Sequence, residues 1–245
     1  MPNKTQTVLI TGASSGIGLD VAKGFLERGA NVVLNSRQAD KLAAAASTLS
    51  GADRIAQVPG DIGDKTTGET MVRTAVERFG SVDVLVNNAG IFGIKPFLEN
   101  TEADIDKYIH INLKGTYFVT QAAVRQMKQQ GGGSIVNIGT VLIMHSMAGA
   151  PASAALITKG GVHALTTSLA SELAADNIRV NAVAPGIIRT PLHHATDVDA
   201  FGGVALMNRV GEVNETTEAV IHLATAGFTT GVILPVDGGY VHGRA

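Results

Sequence analysis

Thr11-Gly12-Ala13-Ser14-Ser15-Gly16-Ile17-Gly18 follows the apolar run Val8-Leu9-Ile10 and opens a stretch with Leu19, Val21, Ala22, Phe25 and Leu26 at helical spacing. A strand that turns through glycines and continues as a helix aims the free N–H groups of the helix, and their partial positive charge, into the turn. The three glycines have separate tasks. Gly12 permits the sharp turn, Gly16 lets backbone approach a phosphate, and Gly18 lets the helix pack closely on the strand. The arrangement suits a dinucleotide pyrophosphate. A glycine-rich turn alone is also what a plain structural loop looks like, and its place between strand and helix near the start of an alternating chain separates the two readings.

Outward from this turn, continuous apolar runs recur at Val8–Ile10, Asn31–Leu34, Arg54–Val58, Val82–Val86, Ser134–Ile138, Ile178–Val183 and Gly231–Val236. Runs without polar alternation suit strands covered on both faces, and the intervening segments have the length and spacing of the covering helices. Helices are expected over Leu19–Arg28, Ala39–Leu49, Thr66–Phe79, Ala103–Gln129 and Ala155–Ala174, with Gly29, Gly51, Gly80 and Gly131 where they should stop. The pattern predicts an α/β fold of the Rossmann type: doubly wound, with a seven-stranded, mostly parallel sheet and helices on both faces. Gly131-Gly132-Gly133 reads as a tight helix-to-strand turn rather than a linker, because a strand pattern resumes at once.

The 245 residues are enough for one large domain, 1–245, and no compositional break marks a second. A net charge of -2 with 16% charged residues provides no basic face for nucleic acid. There is no cysteine, and the polar start Pro2-Asn3-Lys4-Thr5-Gln6-Thr7 precedes an apolar run too short for a signal peptide or membrane span. The expectation is a cytoplasmic protein with no membrane, nucleic-acid or metal partner, acting on a small molecule.

Asn87-Asn88-Ala89-Gly90 after the fourth strand, Asp61-Ile62 after the third, Asn112 in Ile111-Asn112-Leu113-Lys114-Gly115, Lys159, and Asn181-Ala182-Val183-Ala184-Pro185-Gly186 occur in one order along the chain. With the ending Thr230-Gly231-Val232-Ile233-Leu234-Pro235-Val236-Asp237-Gly238-Gly239-Tyr240, the chain resembles the classical short-chain dehydrogenase/reductase family over nearly its whole length. The resemblance implies hydride transfer between a nicotinamide nucleotide and a carbonyl/alcohol pair. It implies that residues 12–18, including Ser14, Ser15 and Ile17, hold the pyrophosphate. Asp61 and Ile62 would meet the adenine, and Asn88, Ala89 and Gly90 would lie near the adenosine ribose. Pro185, Gly186, Ile188 and Thr190 would line the nicotinamide. Asn112, Thr140 and Lys159 take the family's catalytic places, with Lys159 also on the cofactor.

The choice between nucleotides falls to the end of the second strand, where a carboxylate would bind a free 2′-hydroxyl and repel a 2′-phosphate. The chain reads Leu34-Asn35-Ser36-Arg37 there, with a guanidinium for a phosphate and Ser36 as a further donor. NADP(H) is therefore expected over NAD(H), although Ser15 stands where NADP-selective relatives often add a second cation.

At two positions the chain departs from the family: Thr140 stands for that family's catalytic serine and keeps the hydroxyl, and the other departure is at the acid that this family uses. That proton donor is a tyrosine one helical turn before the lysine, where the ammonium lowers the phenol pKa; here that residue is Ala155. Losing a positioned acid removes about 10²- to 10⁴-fold in rate, roughly 3–5 kcal/mol of barrier. Four accounts fit the sequence. Another group donates the proton, such as His145, His193, His194, Ser153 or a water held by Lys159 and Asn112. Alternatively the substrate is an iminium that needs no acid, or Ala155 is a substitution that disables an active reductase, or the protein is a non-catalytic nucleotide-binding scaffold. Residues 191–212 are expected to form a mobile, mostly hydrophobic lid over a small or medium apolar carbonyl compound, with an acyl chain on a carrier protein left open. By the same resemblance, the long helices over 103–129 and 155–174 and the apolar chain end point to a homotetramer, or else a homodimer.

Overall fold

A computed structural model describes residues 5–193 and 197–243. His194 lies outside them. Strands β1 (Thr7–Ile10), β2 (Asn31–Ser36), β3 (Ile55–Pro59), β4 (Val84–Asn87), β5 (Gly133–Ile138), β6 (Ile178–Pro185) and β7 (Ile233–Val236) form one sheet. Its order is β3-β2-β1-β4-β5-β6-β7, and every pairing is parallel. The winding reverses between β1 and β4, so a crevice opens beyond the carboxyl ends of these two strands.

Alternation along the strands divides the core in two. Val8, Ile10, Val32, Leu34, Val84 and Val86 face α1 (Gly16–Glu27), α2 (Ala39–Ser47) and α7 (Val213–Thr225). Leu9, Val33 and Leu85 face α3 (Lys65–Phe79), α5 (Thr116–Gln130) and α6 (Ser153–Glu172). Both faces are covered, which is why the strands read as unbroken apolar runs. Leu9, Ile10, Leu34 and Leu85 are fully buried, each contributing about 1.5–3 kcal/mol relative to an exposed side chain.

The boundaries differ from the sequence expectation where side chains replace ladder hydrogen bonds. β4 begins at Val84 rather than Val82, because the Gln130 side chain accepts from Val82 N–H and donates to Val82 C=O. β7 begins at Ile233 rather than Gly231, and Val232 N–H instead donates to the Asn181 side chain. The long helix expected over Ala103–Gln129 has three parts: α4 (Glu102–Tyr108), a π-helical segment (Ile109–Gly115) and α5. Thr101 and Asp104 close the start of α4 as a capping box. The wider π turn carries Asn112. A cap that no local pattern signals comes from Arg179 on β6, which donates to the carbonyls of Leu223, Ala224 and Thr229 at the end of α7, and to Ser134 Oγ.

Candidate active site

The glycine turn needs its glycines. Gly12 has φ +66°, and a Cβ on it would lie 2.8 Å from Ala89 Cα. A Cβ on Gly18 would lie 2.5 Å from Gly12 O, so α1 could not dock. The loop after β4 is bolted to this turn. Asn88 Nδ2 donates to Thr11 O and Gly12 O, and Thr11 Oγ1 accepts from the N–H groups of Asn88 and Ala89, all at 3.0 Å. Ser15 caps α1 by position alone, with no side-chain bond to the first turn. Those N–H groups are left for an anion, and a pyrophosphate fits the cradle.

A cleft of ≈ 750 Å³ runs across the sheet from this turn. Its walls bring together Gly12, Ser14, Ser15, Gly16 and Ile17 with Ser36, Arg37, Asp61 and Ile62. Asn88, Ala89, Gly90, Thr140 and Lys159 continue it, and Pro185, Gly186, Ile188 and Thr190 close it. Three expected site residues are absent from its walls. Gly18 is buried behind the turn, Asn112 is buried beneath the loop after β4, and Ala155 is 0% exposed.

At one end, Asn35 donates to Val58 O at 2.9 Å and Gly60 O at 3.1 Å, tying β2 to β3 instead of facing a ribose. Asp61 is held by Gly63 N–H at 2.8 Å and lies 3.4 Å from His110 Nε2. Arg37 is exposed on the rim beside Ser36, and Lys41, in the first turn of α2, stands on the same rim. Neither cation has a carboxylate partner among the described residues. The sequence reading missed Lys41. A cation in the first turn opposes the helix macrodipole, the one signal that marks it.

At the other end, Lys159 Nζ donates to Ile138 O at 2.7 Å, and burial pushes its pKa down to about 8. It has no carboxylate partner among the described residues. Gly90 sits over it, since a Cβ there would lie 3.1 Å from Lys159 Nζ and 3.2 Å from Asn112 Oδ1. The Asn112 side chain is fully engaged. It accepts from Ile91 N–H at 2.8 Å and donates to Ile91 O and Thr158 Oγ1 at 3.0 Å, so it positions the loop after β4 against α6. Thr140 presents its hydroxyl at the wall while accepting from Leu142 N–H. Behind it, buried His163 accepts from Thr140 N–H at 3.4 Å; burial, reinforced by the Lys159 charge, holds its pKa below the ordinary value.

No phenol lines the cleft. Tyr240 is buried and donates to His145 O, Tyr117 lies on the outer side of α5, and Tyr108 stands behind Gly93. His145 packs edge-on against the Tyr240 ring, 5.5 Å between centroids, and is off the cleft. Ser153 is off it too. Among the described histidines only His193 lines the cleft, with its pKa lowered by burial. The segment expected to be a lid is pinned at its base, where Arg189 pairs with Asp199 and Glu212. Among the described residues no three His, Cys, Asp or Glu side chains are grouped to hold a metal, and no helix is long and apolar enough to cross a membrane.

Comparisons with known proteins identify the family. Residues 6–200 match the family model for short chain dehydrogenases. The chain is 36% identical over 242 residues to (2S)-[(R)-hydroxy(phenyl)methyl]succinyl-CoA dehydrogenase subunit BbsD of Thauera aromatica, covering 96% of each chain. Among solved structures, it is similar to 3-ketoacyl-(acyl-carrier-protein) reductase from Brucella melitensis complexed with NADH, with 31% identity and TM-score 0.91, covering 96% of this chain and 98% of that one. It is likewise similar to ElxO with NADP bound, at 32% identity and TM-score 0.90, covering 97% and 99%.

Proposed function

Because this chain belongs to the short-chain dehydrogenase/reductase family and has oxidoreductase relatives, we propose that it transfers hydride between NADP(H) and a carbonyl/alcohol substrate, slowly for want of a phenol. The carrying observation is a single cleft that unites the open first turn of α1, two cations on the rim by Ser36 with no carboxylate partner among the described residues, and Lys159 with Thr140 at the far end. The bound nucleotide supplies the hydride. Residues 12–17 hold its pyrophosphate, Arg37 and Lys41 hold its 2′-phosphate, and Asp61, Ile62, Asn88, Ala89 and Gly90 flank its adenosine. Pro185, Gly186, Ile188, Thr190 and Lys159 orient its nicotinamide half.

A carbonyl fits this site better than an iminium. Hydride addition to a carbonyl builds negative charge on oxygen, which an ammonium and a hydroxyl stabilise. An iminium would bring a second positive charge to Lys159, which has no carboxylate to offset it. Ile94, Met144 and Leu192, all exposed, belong to the loops around this end and favour an apolar substrate. Residues 191–193 and 197–212 cover it. The whole chain acts as one domain, located in the cytoplasm. An apolar hollow of ≈ 380 Å³ between Leu113, Tyr117, Phe118 and Leu165 supports pairing of copies through the α5–α6 face, within a dimer or tetramer.

Titration with NADPH and NADH, followed by turnover with apolar ketones and cyclic iminium compounds, tests the reading. Tighter NADPH binding and slow ketone reduction are expected. Binding of neither nucleotide, or iminium turnover alone, would overturn it.

A further inference from the structure

The reacting end of the cleft lacks a phenol but keeps an acid. Resting on the oxidoreductase reading above, we infer that the Lys159 ammonium itself donates the proton to the substrate oxygen, and that the neutral amine takes it back when an alcohol is oxidised. Elimination and geometry meet on this group. None of the three tyrosines lines the cleft, the Asn112 amide is engaged, and His145 packs on Tyr240, which leaves His193 as the other titratable side chain with an acidic N–H on the wall near this end. Lys159 lines the cleft beside Thr140, with one N–H on Ile138 O and no other hydrogen bond among the described residues.

Its place is rigidly set. Along one face of α6, Thr166 accepts from Asn137 Nδ2, His163 accepts from Thr140 N–H, and Lys159 donates to Ile138 O, so three side chains fasten the end of β5. The titratable group that feels the Lys159 charge is His163 on its own helix, and His193 on the segment after β6 lines the same cleft; both are held toward the neutral form by burial. Burial alone sets the Lys159 pKa at about 8. A group poised there gives a proton below that pH and accepts one above it.

The step balances. The carbonyl carbon gains the hydride pair from the reduced nicotinamide nucleotide, and the C=O π pair moves to oxygen. That oxygen forms a bond to a Lys159 proton as the N–H bond breaks. The products are the alcohol, the oxidised nucleotide and a neutral amine, which water reprotonates.

Lys159→Arg tests the assignment, because a guanidinium keeps the positive charge but does not release a proton in the working range. Ketone reduction at saturating NADPH should fall by roughly 10²-fold, with NADPH affinity titrated in the same variant so that lost binding and lost proton transfer are read separately. In the unmodified chain kcat/KM for reduction should fall above pH 8 and that for alcohol oxidation should rise, and both steps should vanish in the variant. Lys159→Ala should regain activity with added primary alkylamines, at rates that follow amine pKa. Full activity in Lys159→Arg, or loss of the pH step in His193→Gln alone, would overturn the inference. Deuterium transfer from C4-labelled NADPH separates the two levels. Transfer with an unchanged Lys159→Arg rate defeats the lysine alone, whereas no transfer in the unmodified chain defeats the oxidoreductase reading and the inference with it.

Discussion

The two ends of the cleft are built from different materials. At the turn end, the contacts are made by backbone, and they come from one unbroken stretch, residues 11–18, braced by Asn88. At the reacting end, Thr140, Lys159, Asn112 and the loop after β4 come from four separate segments, and side chains do the work. Backbone donors survive most substitutions, whereas a side-chain acid disappears with a single change. The comparison explains why the turn can persist while the side chains of the reacting end vary.

The largest effect should come from breaking the turn end. In Gly12→Val a branched side chain would enter a left-handed position, with its Cβ 2.8 Å from Ala89 Cα. Strain in that region costs on the order of 1–3 kcal/mol before any clash. Calorimetry should find nucleotide affinity lowered by at least about 10²-fold, roughly 2.7 kcal/mol. Undiminished binding would show that the cradle does not depend on Gly12.

The reacting end can be repaired instead of broken. Ala155→Tyr places a phenol one turn before Lys159, and ketone reduction should rise, by less than the roughly 10²- to 10⁴-fold of a site with no acid because Lys159 already supplies one. Ala155 is fully buried, so the new ring must open its own space, at a cost of about 1–3 kcal/mol in thermal stability. Ala155→Phe carries the same bulk without the hydroxyl. It should lose the stability and gain no rate, and equal gains in both variants would mean that bulk, not the proton, was missing.

The same division decides what was legible in the sequence. The sheet was readable because burial on both faces leaves each strand as an apolar run, and the turn was readable because its geometry is local. Asn112 and His163 were not readable in their actual roles, since each acts on a backbone group far along the chain: Ile91 for one, Thr140 for the other. His145 looked available for the cleft, and only the fold shows it off the cleft wall with its ring against Tyr240. Arg179 reads as an ordinary strand cation until the end of α7 folds over it. Long-range polar contacts leave no periodic trace.

Within the turn end, nucleotide choice rests on side chains again, so it should yield to single changes. Arg37→Ala removes a charge-assisted contact worth about 1.5–3 kcal/mol, which lowers the NADPH-over-NADH affinity ratio by roughly 10- to 150-fold. An unchanged ratio would remove Arg37 from the phosphate site.

Lys41 should matter less. Its ammonium is a hydrated point charge on a flexible stem, without the paired donors that a guanidinium offers a phosphate. It is exposed on the rim, where an ion pair contributes about 0.2–1 kcal/mol and salt screens it. Lys41→Ala should therefore weaken NADPH about two- to fivefold at low ionic strength, leave NADH unaffected, and lose its effect near 1 M salt. The helix itself should gain slightly, because a cation leaves the first turn of α2 and alanine has the higher helix propensity. Weaker NADPH binding together with a higher melting temperature is the signature of a residue kept for the phosphate rather than for the fold. A loss of both would assign Lys41 to packing and leave Arg37 as the sole cation on the 2′-phosphate.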